Sequence, residues 1–161
     1  MLTGGFFSNY IIAIPVLTWV LNQAVKILLY GRFKQFRSWK DLFKSGGMPS
    51  AHTSFMCSLS TAVLLRDGYT STSFAIVLCL TGIVLYDAMH VRLESGKHAS
   101  VLNEIFHSRQ IVSPTLEKEY PLETSVGHTF PEVCGGVLFG ALMGLLLMQL
   151  WNFPFLSACC S

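Results

Sequence analysis

Four apolar runs, at about 10–30, 52–66, 71–91 and 130–151, fill most of a chain of 161 residues. A helix needs roughly 20 apolar residues to cross about 30 Å of hydrocarbon, and there the backbone has to satisfy its own N–H and C=O groups. Runs that recur at this length leave one fold class, an all-α helical bundle integral to a membrane. Composition agrees: 52% of residues are hydrophobic and only 12% are charged, whereas a soluble domain carries about 25% charged residues. A greasy soluble bundle would still need a polar surface that this sequence lacks. The second run is short for a span. The expectation is about four transmembrane helices forming a single membrane domain over 1–161.

Between the third and fourth runs, Val101, Leu102, Ile105 and Phe106 follow helical spacing beside polar residues, which predicts a short amphipathic helix at the membrane interface. Four spans place loop 31–51 and segment 92–129 on one face, and both termini with the 67–70 turn on the other. Of the eleven Lys and Arg, Arg66 alone falls on the second face. By the positive-inside rule the basic face is cytoplasmic, or stromal or matrix in an organelle. The basic cluster over 32–44 fits topology and attraction to anionic lipids as well as it fits substrate binding. The five cysteines have no metal-finger spacing and imply no disulfide framework. Ala158 stands where a prenylation box would need its cysteine before Cys159 and Cys160. The N-terminus lacks the basic region of a cleaved signal peptide.

The stretch "GGMPSAH", Gly46 to His52, enters an apolar run with residues that suit a helix start. Free N–H groups and the positive end of the helix dipole make such a start a place to hold an anion. His52, His128, Glu132, Lys26 and Arg92 all fall near helix ends on the basic face, so the four-span arrangement brings them to one depth. An ionisable residue within a span is costly and marks function by default; for Lys26, snorkelling to the interface is the alternative. In "VGHTFPEVCGG", His128 and Glu132 are four apart, so on a helix the carboxylate holds one imidazole nitrogen and leaves the other free. A buried structural His–Glu pair has the same pattern. Gly136, Gly140 and Gly144 continue the four-residue spacing and predict close approach of another helix.

"GGMPSAH", "YDAMHVRLESGKHASVLN" and "GHTFPEVCGG", in this order and separated by apolar spans, resemble the divergent bacterial and plastid branch of the type-2 phosphatidic acid phosphatase and vanadium haloperoxidase family. The likeness runs from about Asn22 to Gly144. Lys26 matches the lysine of the first family motif, and Arg32 follows at nearly the right distance but without the motif's proline. Pro49, Ser50 and His52 meet the second motif, with Ala51 in place of its glycine. His128 meets the third, with Glu132 in place of aspartate and with Pro121 and Leu122 where the motif has Ser-Arg. Arg92 is the nearest replacement for that arginine by topology.

The resemblance implies a membrane lipid-phosphate phosphohydrolase, a phosphomonoesterase or diphosphatase, with a phosphohistidine intermediate and no metal or cofactor. Pro49 is expected to open a helix whose Ser50 and free N–H groups bind phosphate. His52 is expected to protonate the departing oxygen, and His128, oriented by Glu132, to attack phosphorus. Lys26, Arg92 and Arg32 would neutralise the phosphate oxygens, with Asp87 orienting Arg92 or Lys97. His90, His98 and His107 match no zinc spacing, and vanadium-dependent oxidation is not expected. The expected partners are a lipid phosphate and membrane lipids, not nucleic acid. The expected location is a bacterial inner membrane or a plastid membrane, with the site on its cytoplasmic or stromal face. The alternative is a non-catalytic lipid-binding subunit or assembly partner that kept the fold, with a homo-oligomer or larger complex as its setting. A small transporter is a third reading that so few buried ionisable groups do not favour.

Overall fold

The computed structural model describes residues 9–31, 47–109, 121–124 and 126–151. Five α-helices follow in order: α1 (Tyr10–Gly31), α2 (Ala51–Asp67), α3 (Thr72–Tyr86), α4 (Arg92–Arg109) and α5 (Phe130–Trp151). Among the described residues there is no strand. Arg32 and the side chain of Arg109, with Lys118, Cys159 and Cys160, lie outside the described set.

Helices α1, α2 and α3 each start where a short polar side chain can replace a missing backbone partner. Asn9 Oδ1 accepts from Ile11 N–H at 3.2 Å before α1, Ser50 Oγ from Thr53 N–H at 3.4 Å before α2, and Ser71 Oγ from Phe74 N–H at 3.2 Å before α3. Ser50 is thus the cap of α2, and Pro49, expected as its first residue, lies one position outside it after a cis Met48–Pro49 peptide. Gly68, at φ 81, ends α2 and turns its N–H back to Leu64 O.

Three helical stretches have the length and apolarity to cross a membrane: Tyr10–Leu29, Thr72–Ser108 and Phe130–Trp151. Helix α2, with 17 residues and many Ser and Thr, is not one of them. It packs against α1, α3 and α5 at the centre of the bundle, so its hydroxyls face protein. Ser54 Oγ donates to Ser50 O at 2.7 Å and Thr61 Oγ1 to Cys57 O at 2.8 Å, returning polar groups to the helix's own backbone. Asn22 of α1 donates to Ser54 Oγ at 2.8 Å, and Ser60 of α2 pairs with Thr81 of α3 at 2.8 Å.

The glycine row of α5 lies against α2, as its spacing predicts. A Cβ on Gly136 would sit 2.9 Å from Ser50 O, one on Gly144 3.0 Å from Ser58 O, and one on Gly140 would overlap Ser54 O. Without a hydrophobic drive between helices in lipid, such close backbone approach is a main source of association. The far end of the bundle closes on Ile14, Ala62 and Met148, flanked by Tyr10, Ile11 and Leu147.

The helix expected at the interface does not stand alone. Helix α4 runs on from α3 through one π turn, Asp87–Val91, in which Arg92 N–H bonds Asp87 O. Its polar and apolar residues are spread around it, and what it faces is the returning chain. Asn103 donates from Nδ2 to Leu122 O and accepts at Oδ1 from Leu122 N–H, both at 2.9 Å. Gly96 lets the same segment pass so close that a Cβ there would meet Thr124 O at 2.7 Å.

Candidate functional site

The N-termini of α2 and α5 meet beside the end of α1 and the π turn. Ser50 N–H donates to Glu132 O at 3.2 Å, joining the two helix starts. His128 N–H donates to Ala88 O at 3.0 Å, a carbonyl of the π turn. Gly127, at φ 99, turns the chain into that bond, and a Cβ on it would lie 2.5 Å from Leu93 N. A π turn widens the helix and is common at functional sites; here it meets the backbone of the histidine. The sequence signal was faint. Asp87 and Arg92 are five apart, the i, i+5 spacing of that turn, and Gly96 and Gly127 mark the two close approaches.

The imidazoles of His52 and His128 face each other edge to face, with ring centroids 6.5 Å apart. His128 is 3% exposed, yet neither of its ring nitrogens has a hydrogen-bond partner among the described residues. Buried polar atoms are almost always paired, so an unpaired imidazole beside a second histidine is notable. Burial pushes its pKa below the ordinary histidine value; the Glu132 charge raises it, and Lys26, His52 and Arg92 lower it further. His128 is therefore held neutral, the form that can attack an electrophile.

Glu132 does not hold the ring as the four-residue spacing suggested. Helix α5 begins at Phe130, so His128 precedes the helix and does not share its face. The carboxylate instead accepts from Thr129 N–H at 2.8 Å, the N3-to-cap half of a capping box. Its influence on His128 is through charge. Ser50 Oγ caps α2 as an acceptor, from Thr53 N–H and from the Thr53 hydroxyl at 3.0 Å, and these bonds leave its own O–H as a donor. The N–H groups of Ala51 and His52 remain in the first turn of α2, where no intrahelical acceptor exists.

Lys26 is buried at 8% exposure and lies within electrostatic reach of Glu132, His52 and His128. Arg92 also acts on both histidines, and its Nε donates to Asp87 Oδ2 at 2.6 Å. Asp87 thus holds Arg92 and not Lys97, whose ammonium pairs with Glu94 at 2.6 Å outside this group. Arg32 lies outside the described residues. No cluster of three or more His, Cys, Asp or Glu able to hold a metal occurs among the described residues; His90 stacks on Tyr86 with centroids 4.5 Å apart.

Three apolar helices long enough to span a bilayer, with two helix N-termini, two facing histidines and two cations gathered at one end, mark an integral membrane protein. The chain belongs to the divergent PAP2 family, which matches residues 7–143. It is similar to an uncharacterized membrane protein of Bacillus subtilis (strain 168), YuiD, at 30% identity over 137 residues, covering 80% of this chain and 87% of that one. No solved structure matches the chain.

Proposed function

We propose that this protein is a lipid-phosphate phosphohydrolase that works through a phosphohistidine on His128. The observation that carries the reading is the buried imidazole of His128, unpartnered among the described residues and facing His52 with ring centroids 6.5 Å apart. Neutral His128 attacks phosphorus and forms a P–N bond. The P–O bond to the lipid breaks on the opposite side, and His52 gives a proton to the departing oxygen from its protonated form, which burial and then the charges of Arg92 and Lys26 confine to pH below the ordinary histidine value. Water, deprotonated by the now neutral His52, then breaks the P–N bond and releases phosphate. Lys26 and Arg92 offset the charge gathered on the equatorial oxygens, together with the first-turn N–H groups of α2. The lopsided Lys and Arg count supports a site on the cytoplasmic or stromal leaflet.

A second reading, a lipid-binding subunit without turnover, draws on Ser50 and Glu132, whose polar atoms serve helix caps. Phosphate release from a panel of lipid phosphates by purified protein in detergent separates the two. The phosphohydrolase releases phosphate and His128→Ala does not; equal background from both supports the subunit.

A further inference from the structure

Helices α1 and α3 each pack on α2, and a cleft of about 310 Å3 lies where the three meet. Trp19 of α1, His52, Phe55 and Met56 of α2, and Val84 of α3 line it. His52, Phe55 and Met56 follow i, i+3, i+4 spacing and so share one face of α2. They make a floor that starts at the histidine and continues as carbon and sulfur. The walls add an aliphatic side chain and an indole. This cleft adjoins the candidate phosphate site at His52, which belongs to both.

Its position bears on which bond breaks. In-line attack by His128 puts the departing oxygen on the His52 side, so the carbon skeleton on that oxygen arrives where the cleft begins. We propose that the cleft seats the hydrocarbon chain of the substrate and selects phosphate esters of single-chain alcohols, alkyl or isoprenyl, over glycerolipid phosphates such as phosphatidic acid. This deepens the phosphohydrolase reading and rests on it.

In an alkyl or isoprenyl phosphate the departing oxygen is bonded directly to hydrocarbon, whose first carbons meet Phe55, Met56 and Val84. In a glycerolipid phosphate, ester groups follow within a few bonds. Beyond His52, the lining side chains offer them one donor, the indole N–H of Trp19. An apolar pocket disfavours such polar additions by ~10- to 100-fold.

The test uses full-length protein in nanodiscs with a long-chain alkyl phosphate, a phosphatidic acid of matched carbon number and a tailless aryl phosphate. The expected wild-type preference for the alkyl phosphate over phosphatidic acid is ~10-fold or more in kcat/KM. Val84→Trp, which fills the cleft, should lower the ratio of alkyl to tailless turnover by ~10-fold, and Met56→Trp provides the same readout should Val84→Trp fail to fold. Equal use of both lipids, or an unchanged ratio in the filled variants, overturns the proposal. A second arm needs no turnover. An alkyl phosphate carrying a diazirine near its head should label wild-type peptides containing Trp19, Met56 or Val84. Unlabelled alkyl phosphate should compete, and phosphatidic acid should not. Labelling with this pattern but without phosphate release keeps the cleft and refutes the phosphohydrolase; labelling that both lipids compete for equally, or that the matching alcohol reproduces, refutes the cleft.

Discussion

Down the middle of the bundle, three helices place side chains in rows four residues apart, and the two ends of those rows differ in chemistry. On α1 the row reads Lys26, Asn22, Thr18, Ile14; on α2, Ser50, Ser54, Ser58, Ala62; on α5, Glu132, Gly136, Gly140, Gly144, Met148. The packing style is common to both ends, a four-residue ridge of one helix against that of its neighbour. At the far end Ile14, Ala62 and Met148 close on one another with no polar atom to satisfy. At the near end the same ridges end in an ammonium, a capped helix start and a carboxylate, and beside them the His128 ring has no partner among the described residues. Geometry is shared along the rows; the ionisable side chains gather at one end. Substitutions at the near end should change turnover before they change folding, and those at the far end the reverse.

The largest expected difference between the ends comes from two alanines. His128→Ala should lower turnover of a lipid phosphate by about 10³-fold or more while leaving thermal unfolding nearly unchanged. Met148→Ala should leave turnover per folded molecule intact and cost about 2 kcal/mol of stability through the cavity it opens. Parallel melting curves and initial rates check both, and a loss of turnover in Met148→Ala at full folding would break the division.

Asn103 gives a smaller effect at the near end. Its paired bonds to Leu122 fix the segment that delivers His128, and misplacing a catalytic group by about 1 Å costs ~10²-fold. Asn103→Leu should therefore lower kcat with little change in KM, and steady-state kinetics of the folded variant checks this. In the shared middle, Gly140→Val forces a side chain into the Ser54 backbone and should destabilise by about 1–3 kcal/mol. Gly82→Ala, with nothing within 4 Å of the new carbon, should not; equal melting temperatures for the two would contradict the ridge packing.

The smallest effect is on pH. His128 has a depressed pKa because of its burial, so its neutral form persists below the ordinary histidine value, and the acid limb of kcat/KM should lie under pH ~6.5. The Glu132 charge raises that pKa and the Arg92 charge lowers it. Glu132→Gln should move the limb to lower pH, and Arg92→Gln to higher pH. A limb unmoved by both charges would mean that another group titrates.

Much of this molecule is legible in the sequence because the membrane imposes strict rules. Apolar runs give the helices, and the glycine row announces the α2–α5 contact, since only small residues at four-residue spacing permit it. Lys26, His52 and His128 stand out as ionisable groups beside apolar runs. Where the structure departs from the sequence pattern, local caps compete with distant partners. A Glu four residues after His128 reads equally well as its partner or as the N3 residue of a helix starting at Phe130, and Pro131 in the first turn favours the second. Ser50 presents a related pattern: its oxygen caps α2 while its hydroxyl proton stays available. The role of α2 was harder to read, because its hydroxyls lower its apolarity while burial inside the bundle makes them useful. The π turn has no strong composition signal, and Asn103 acts on a backbone 19 residues away, a pairing that no local pattern encodes.

Vanadate provides the most direct test, because it adopts the five-coordinate geometry expected between His128 and His52. Calorimetric titration of vanadate and phosphate into wild type, His128→Ala, and the control Met148→Ala measures whether the site is built for that geometry. The account predicts that wild type and Met148→Ala bind vanadate at least ~10²-fold more tightly than phosphate, and that the preference vanishes in His128→Ala. Equal affinity for the two anions in wild type, or a preference that survives the loss of His128, would contradict the phosphohistidine mechanism.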